Sequence, residues 1–387
     1  MNYKKYLSDR VKSIQPSGIR NFTNMAAKVD GVISLSLGQP DFVTPKHIID
    51  AAKEALDNGH TFYTHNMGLL ELRQGIAEFL LNRYSISYNP QTEIIVTIGV
   101  SQAIDTALRS LVSEGDEVLI PQPSFVAYQP CTIMAGGIPR FVPTYEKDNF
   151  ALRPDILENY ITDKTKVLIL PYPNNPTGAV MTEEELVGVA KVVKKHDLMV
   201  ISDEIYSELT YGIKHTSIAS LKDMWQRTIT VNGFSKTYAM TGWRLGYIAA
   251  PEFFVKEMVK VHQYNVTCAP IMGQYAAIEA LKNGDKDIKR MLDEYDRRRR
   301  FLLGEIRDMG LNCFEPHGAF YIFPSIKYTG LSSNVFATRL LYEGKVAAVP
   351  GDAFGENGDG FIRLSYASSM DDLREAVSRI KRFLRTI

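Results

Sequence analysis

The 387-residue chain is poor in cysteine, with three, and carries two tryptophans. Cys131, Cys268 and Cys313 lack paired spacing, which argues against a disulfide scaffold or a cysteine-based metal site and for a reducing compartment. No run of about 18 apolar residues occurs, and Met1 to Ile14 is polar and charged without an apolar signal core, so a cytoplasmic location is expected. Neither sign of charge is in excess. The 44 basic and 44 acidic residues sum to a formal net charge of zero, which gives nucleic acid and membrane surfaces no electrostatic hold. Internal repeats and low-complexity linkers are absent as well. The remaining composition, 45% hydrophobic and 23% charged, is that of a globular protein. Its length exceeds the roughly 250–300 residues at which a single core stops growing, so two domains and small-molecule ligands are expected, with no metal.

Short β-branched runs recur at Ile94–Ile98, Glu117–Ile120, Arg140–Val142, Val167–Leu170, Met199–Ser202, Thr228–Val231 and Gly246–Ala249. Helical patterns separate several of them, among them Gln102–Val112, Phe125–Ala135 and Glu183–Lys195. Such alternation predicts an α/β fold whose mostly parallel sheet is covered on both faces. The link before Gly246–Ala249 is too short for a crossover helix, so that strand is expected to run antiparallel. A helix-rich stretch follows from Pro251 to about Met309, in which Arg297–Arg300 reads as a solvated charged face. Ala319–Phe323, Ala347–Val349 and Phe361–Leu364 read as strands and Asp371–Leu384 as a closing helix, together a smaller C-terminal unit. The expected division is an arm and substrate loop over 1–45 that packs with the small domain, a large domain over 46–285 and a small domain over 286–387.

Gly233-Phe-Ser-Lys-Thr-Tyr-Ala-Met-Thr-Gly-Trp-Arg-Leu-Gly246 places Lys236 just beyond a strand and Arg244 beyond a small-residue turn. A lysine buried near other cations sheds its proton and attacks a carbonyl, while arginine clamps phosphate oxygens. The pair suits pyridoxal phosphate. Ligands of open α/β sheets gather at the carboxyl ends of strands, where four more features fall. Gly99-Val-Ser101-Gln102 opens a helix and reads either as an ordinary serine N-cap or as a phosphate cradle. In Pro123-Ser-Phe-Val-Ala-Tyr128 an aromatic either joins the core or stacks on a flat ring, and Phe125, at the helix entrance, is the candidate for stacking. Pro171-Tyr-Pro-Asn-Asn-Pro-Thr-Gly178 is too rich in turn formers to continue a strand and holds Asn175 at the sheet edge. Ser202-Asp-Glu-Ile-Tyr206 supplies Asp203 for a pyridine nitrogen that must stay protonated, and Tyr206 for the ring oxygen.

Taken in order, these motifs resemble the class I and II aminotransferases of the aspartate aminotransferase fold, over essentially the whole chain. The resemblance implies that Lys236 is the Schiff-base lysine and proton carrier, with Asp203 on the ring nitrogen, Asn175 and Tyr206 on the ring oxygen and Phe125 on the ring face. It places Ser101, the backbone of Gln102, Ser235 and Arg244 on the phosphate, and Gly38, Asn175 and Arg363 at the substrate. Tyr63 is implied to cross a homodimer interface to the neighbour's phosphate. Gly233 departs from the serine many members carry, and Ser101 stands where aspartate-specialised relatives often have lysine. The stretches Pro16–Arg20 and Ser34–Pro45 resemble the aromatic and N-acetyl-diaminopimelate aminotransferase branch. Ping-pong transfer is therefore expected, with N-acetyl-LL-diaminopimelate as substrate and 2-oxoglutarate and glutamate as the exchange pair. Competing readings are an aromatic or aspartate aminotransferase, a C–S β-lyase of the same cofactor class, a ligand sensor, and a hydrolase built on Ser101, Asp203 and His317.

Overall fold

The computed structural model describes Tyr3–Ile387. Its centre is a seven-stranded sheet in the order Ile94–Thr97, Gly246–Ala249, Thr228–Gly233, Met199–Asp203, Thr165–Leu170, Glu117–Gln122, Ile138–Pro143. Six strands run in one direction, and Gly246–Ala249 lies antiparallel to both its neighbours, as its short connection requires. Alternate residues leave opposite faces of each strand. Ile95, Val118, Ile120, Val167, Ile169, Ile201 and Ile248 pack in one buried cluster with Ala103 and Ala107 of the helix Gly99–Leu111. On the other face, Leu119, Leu168 and Val200 meet Leu186, Val189 and Val193 of the helix Glu183–Lys195.

That helix shows how sequence sets the element. Thr182 and Glu185 form a reciprocal capping box, acidic residues fill the first turn, and Lys194 and Lys195 occupy the last, complementing the helix dipole at both ends. Its C-terminus returns the chain to Met199–Asp203, which pairs in parallel with Thr165–Leu170. The carboxyl ends of both strands consequently open on one edge of the sheet.

The C-terminal elements form an antiparallel sheet in the order Val349–Pro350, Ile362–Ser365, Tyr321–Ile322. Here the expected strand Ala347–Val349 is corrected. Val346–Ala347 pairs instead with Ile33–Ser34, and Ala348 separates two short strands belonging to different sheets. The expected helix Phe125–Ala135 begins only at Tyr128. The arginine run is corrected too. Arg297 and Arg300 are exposed, but Arg298 and Arg299 are each only 6% exposed and ion-paired, Arg298 with Asp41 and Glu294, Arg299 with Asp296 and Glu315. A helix that packs on the core through Tyr295, Leu302 and Ile306 turns every third or fourth residue inward, and two arginines of the run share that face. No helix among the described residues is long and apolar enough to cross a membrane.

Candidate active site

A cavity of about 290 Å³ opens where the carboxyl ends of the parallel strands meet the C-terminal unit and the segment around Gly38. Lys236, Asp203, Asn175, Phe125, Tyr206, Ser101, Ser235, Arg244, Gly38 and Arg363 all line it. Two expected residues do not. Gln102 turns its side chain away, accepting from Ile98 N at 2.7 Å and meeting His262 Nδ1 at 2.9 Å, so only its backbone is available for the expected role. Tyr63 is 85% exposed and outside the cavity of its own chain.

Close backbone packing builds one end of the cavity. Gly99 adopts a φ of +70°, and a Cβ there would meet Arg244 Nη2 at 2.5 Å. A Cβ on Gly246 would stand 2.7 Å from Val100 N, and one on Gly233 2.8 Å from Gly246 Cα. Three glycines thus bring the start of the helix Gly99–Leu111 against the strand pair and leave room for the guanidinium over it. The departure at Gly233 has its physical reason in this contact. Leading N–H groups of a helix have no intrahelical acceptor, so the helix start, Arg244, Ser101 and Ser235 together form a cationic, donor-rich cradle for a phosphate.

Lys236 Nζ donates to the Gly38 carbonyl at 2.6 Å and lies 5.9 Å from the Tyr206 ring centroid and 5.7 Å from that of Phe320. Burial, then Arg363 and Arg244, lower its amine to about 8, against an opposing pull from Asp203. An amine so placed is a usable nucleophile near neutral pH. Asp203 is buried, accepting from Tyr128 Oη at 2.8 Å and from Ile205 N at 3.2 Å. Burial pushes its carboxyl up to about 6, opposed by those hydrogen bonds and by Lys236.

Arg363 is 1% exposed. Nη1 donates to Asn175 Oδ1 at 2.9 Å and Nη2 to Ser36 O at 2.6 Å, the guanidinium lies 4.4 Å from the Tyr321 ring centroid, and Nε has no partner among the described residues. A buried guanidinium with a donor to spare fits an incoming carboxylate. A Cβ on Gly38 would approach Tyr321 Oη at 3.0 Å and both Arg363 terminal nitrogens at 3.8 Å, so glycine keeps that approach open. The hydrolase reading fails on geometry: His317 is exposed, meets the Tyr211 carbonyl at 3.0 Å, and does not line the cavity with Ser101. Tyr321, Tyr128 and Ile19 line the cavity unforeseen. Tyr321 lies in a run readable only as a strand, Tyr128 in a motif where Phe125 drew the attention, and Ile19 beside a charged residue in an arm of no evident chemistry.

These residues fit pyridoxal phosphate: a nucleophilic lysine, a carboxylate at ring depth, a phosphate cradle and a spare carboxylate-binding arginine around one cavity. The comparisons agree. The family model for aminotransferase class I and II matches residues 30–380. The aromatic-amino-acid aminotransferase 2 of Thermococcus litoralis is 49% identical over 382 residues, covering 98% of each chain. The probable N-acetyl-LL-diaminopimelate aminotransferase of Bacillus subtilis is 46% identical, covering 98% of this chain and 95% of its own. A solved structure titled Pyrococcus protein-A1 superposes with a TM-score of 0.96 at 51% identity, covering 98% of both chains. Enzymes of this family and fold act on amino acids and oxo acids with pyridoxal 5'-phosphate. The chain belongs to the class I and II aminotransferases, and is an aminotransferase.

Proposed function

We propose that the enzyme exchanges amino groups by a ping-pong route between an L-amino acid with a large apolar or aromatic side chain and a 2-oxo acid. One observation supports the side-chain class: the cavity is lined by three cations, Lys236, Arg244 and Arg363, and each has a task. Among the described residues no fourth lines it to meet a distal carboxylate, while Ile19, Ile104 and Tyr321 offer apolar and aromatic surface. N-acetyl-LL-diaminopimelate, the substrate expected from the sequence, carries such a carboxylate, as does aspartate.

In this reading Arg363 grips the α-carboxylate and fixes the substrate's Cα beside Lys236, whose amine takes the proton from that carbon and holds it at Nζ for return. The bound cofactor supplies an electron sink for the negative charge left at Cα. Asp203 would accept from the cofactor's ring nitrogen and keep the proton there. Asn175 has its carboxamide oxygen engaged by Arg363, so its NH₂ is the end free to donate to the ring oxygen, alongside the Tyr206 hydroxyl. Phe125 would pack on the ring, while Ser101, the Gln102 backbone, Ser235 and Arg244 would hold the phosphate. Tyr63, exposed here, completes the phosphate site of a second copy in a homodimer. The proposed domains remain 1–45, 46–285 and 286–387, and a cytoplasmic setting suits the three free cysteines.

The test is a spectral screen in which the absorbance of the loaded enzyme is followed as amino acids are added singly. Phenylalanine, tyrosine or tryptophan is expected to react fastest, and aspartate about tenfold or more slowly. A faster half-reaction with N-acetyl-LL-diaminopimelate would replace the aromatic assignment with that one. Release of pyruvate from cystathionine would point to the lyase.

A further inference from the structure

Tyr128 is the first residue of the helix Tyr128–Ala135 and is 2% exposed. Its phenol meets Asp203 Oδ2 at 2.8 Å, and burial, followed by the Asp203 carboxylate, holds its ionisation well above the ordinary range. The phenol is therefore the donor. From a different element, Ile205 N donates to Asp203 Oδ1 at 3.2 Å. Each carboxylate oxygen is thus engaged by a group that donates, and neither contact is favourable to a neutral carboxyl whose own O–H would need an acceptor. The same tyrosine meets Phe125 edge to face, with ring centroids 5.7 Å apart and an interplanar angle of 84°. Tyr128 thereby braces two groups lining one cavity, a carboxylate and an aromatic face.

We propose that Tyr128 is a positioning residue that keeps Asp203 a hydrogen-bond acceptor, so that a heterocyclic nitrogen seated beside it stays protonated. The proposal rests on the reading of the cavity as a pyridoxal phosphate site. Its necessity comes from the surroundings of Asp203. Burial and the neighbouring Glu204 carboxylate both favour the neutral acid, and Tyr128, the Ile205 N–H and Lys236 oppose them. Tyr206 and Cys131, the other titratable groups near the Tyr128 hydroxyl, also hold protons that burial makes hard to lose, and so bring no cation to the carboxylate.

The test uses the full chain with ¹³C-labelled aspartate carboxyl groups, in the wild type and in Tyr128→Phe, with Asp203→Asn identifying the resonance. In Tyr128→Phe the Asp203 midpoint is expected to rise by about one to two pH units, a ten- to hundredfold change in proton affinity. With ¹⁵N-labelled pyridoxal phosphate bound, the ring-nitrogen resonance moves toward that of neutral pyridine, and the acid limb of kcat moves up in pH while KM for the amino acid stays within about twofold. An unmoved Asp203 midpoint in folded Tyr128→Phe overturns the proposal. Should that variant not fold, Tyr128→3-fluorotyrosine keeps the shape with a stronger donor and is expected to lower the midpoint, and no change there overturns the proposal equally. The carboxyl titration is read in cofactor-free protein as well. A chain that never takes up pyridoxal phosphate removes the cofactor reading while the Tyr128 bond is still measured.

Discussion

Arg363 Nη1 donates across 2.9 Å to Asn175 Oδ1, joining the strand Ile362–Ser365 to the turn that follows Thr165–Leu170. One guanidinium therefore serves two ends: it orients an amide of the large sheet and presents donors to the cavity. Arg363→Lys keeps the charge and loses the fork. A single ammonium cannot hold Ser36 O, Asn175 and a substrate carboxylate together, so kcat/KM is expected to fall by about ten- to a hundredfold, mostly through KM. Steady-state kinetics with one good amino donor checks this.

Lys236 gives a pH prediction. Its amine is depressed to about 8, so the nucleophilic form dominates above that pH and is lost below it. Covalent uptake of pyridoxal phosphate by cofactor-free protein is expected to slow by about tenfold for each pH unit below 8. Stopped-flow absorbance measures the rate, and a flat profile between pH 6 and pH 8 would contradict the depressed amine. The same shift has a stability consequence. Between about 8 and the ordinary 10.5 the unfolded chain holds a proton that the folded one has shed, so this group makes the cofactor-free fold more stable as pH rises through that window.

Gly99 tests the cradle. A methyl group there collides with Arg244 and is strained by the positive φ, so Gly99→Ala should displace the guanidinium and weaken pyridoxal phosphate binding by about tenfold or more. Fluorescence titration of cofactor-free protein gives the affinity, and Gly115→Ala, also at a positive φ but with open space around it, controls for strain alone.

Arg298 holds the segment that carries Gly38. Its Nη1 contacts both Asp41 carboxylate oxygens at 2.9 Å, and its guanidinium lies 5.3 Å from the Phe42 ring centroid. Arg298→Ala is expected to cost about 1–3 kcal/mol in denaturant unfolding, because it leaves the partly screened Asp41 without its partner. It should also raise KM for the amino acid, since the Gly38 carbonyl and the approach to Arg363 depend on that segment.

The sheet was readable because its strands are short, β-branched and punctuated by turn formers, and the antiparallel strand because a crossover helix has no room before it. Motif residues at strand ends, Asn175, Asp203 and Lys236, were readable for the same reason: the sheet edge gathers whatever stands there. Tyr128 and Tyr321 escaped notice since a tyrosine in an apolar run looks like core until its hydroxyl is given a neighbour. The Arg298 and Arg299 pairings depend on which face of a helix turns inward and on acids far along the chain, which a run of four arginines does not disclose. Ala348 divides two strands because their partners lie in different sheets, a matter of tertiary pairing.

The central claim is that one amine, Lys236 Nζ, holds the cofactor, and borohydride reduction of the loaded enzyme followed by peptide mapping tests it most directly. The account predicts a single pyridoxyl-modified peptide carrying the label on Lys236, absent from Lys236→Ala, which should also lose turnover. Label on any other lysine, or undiminished transamination by Lys236→Ala, would contradict it.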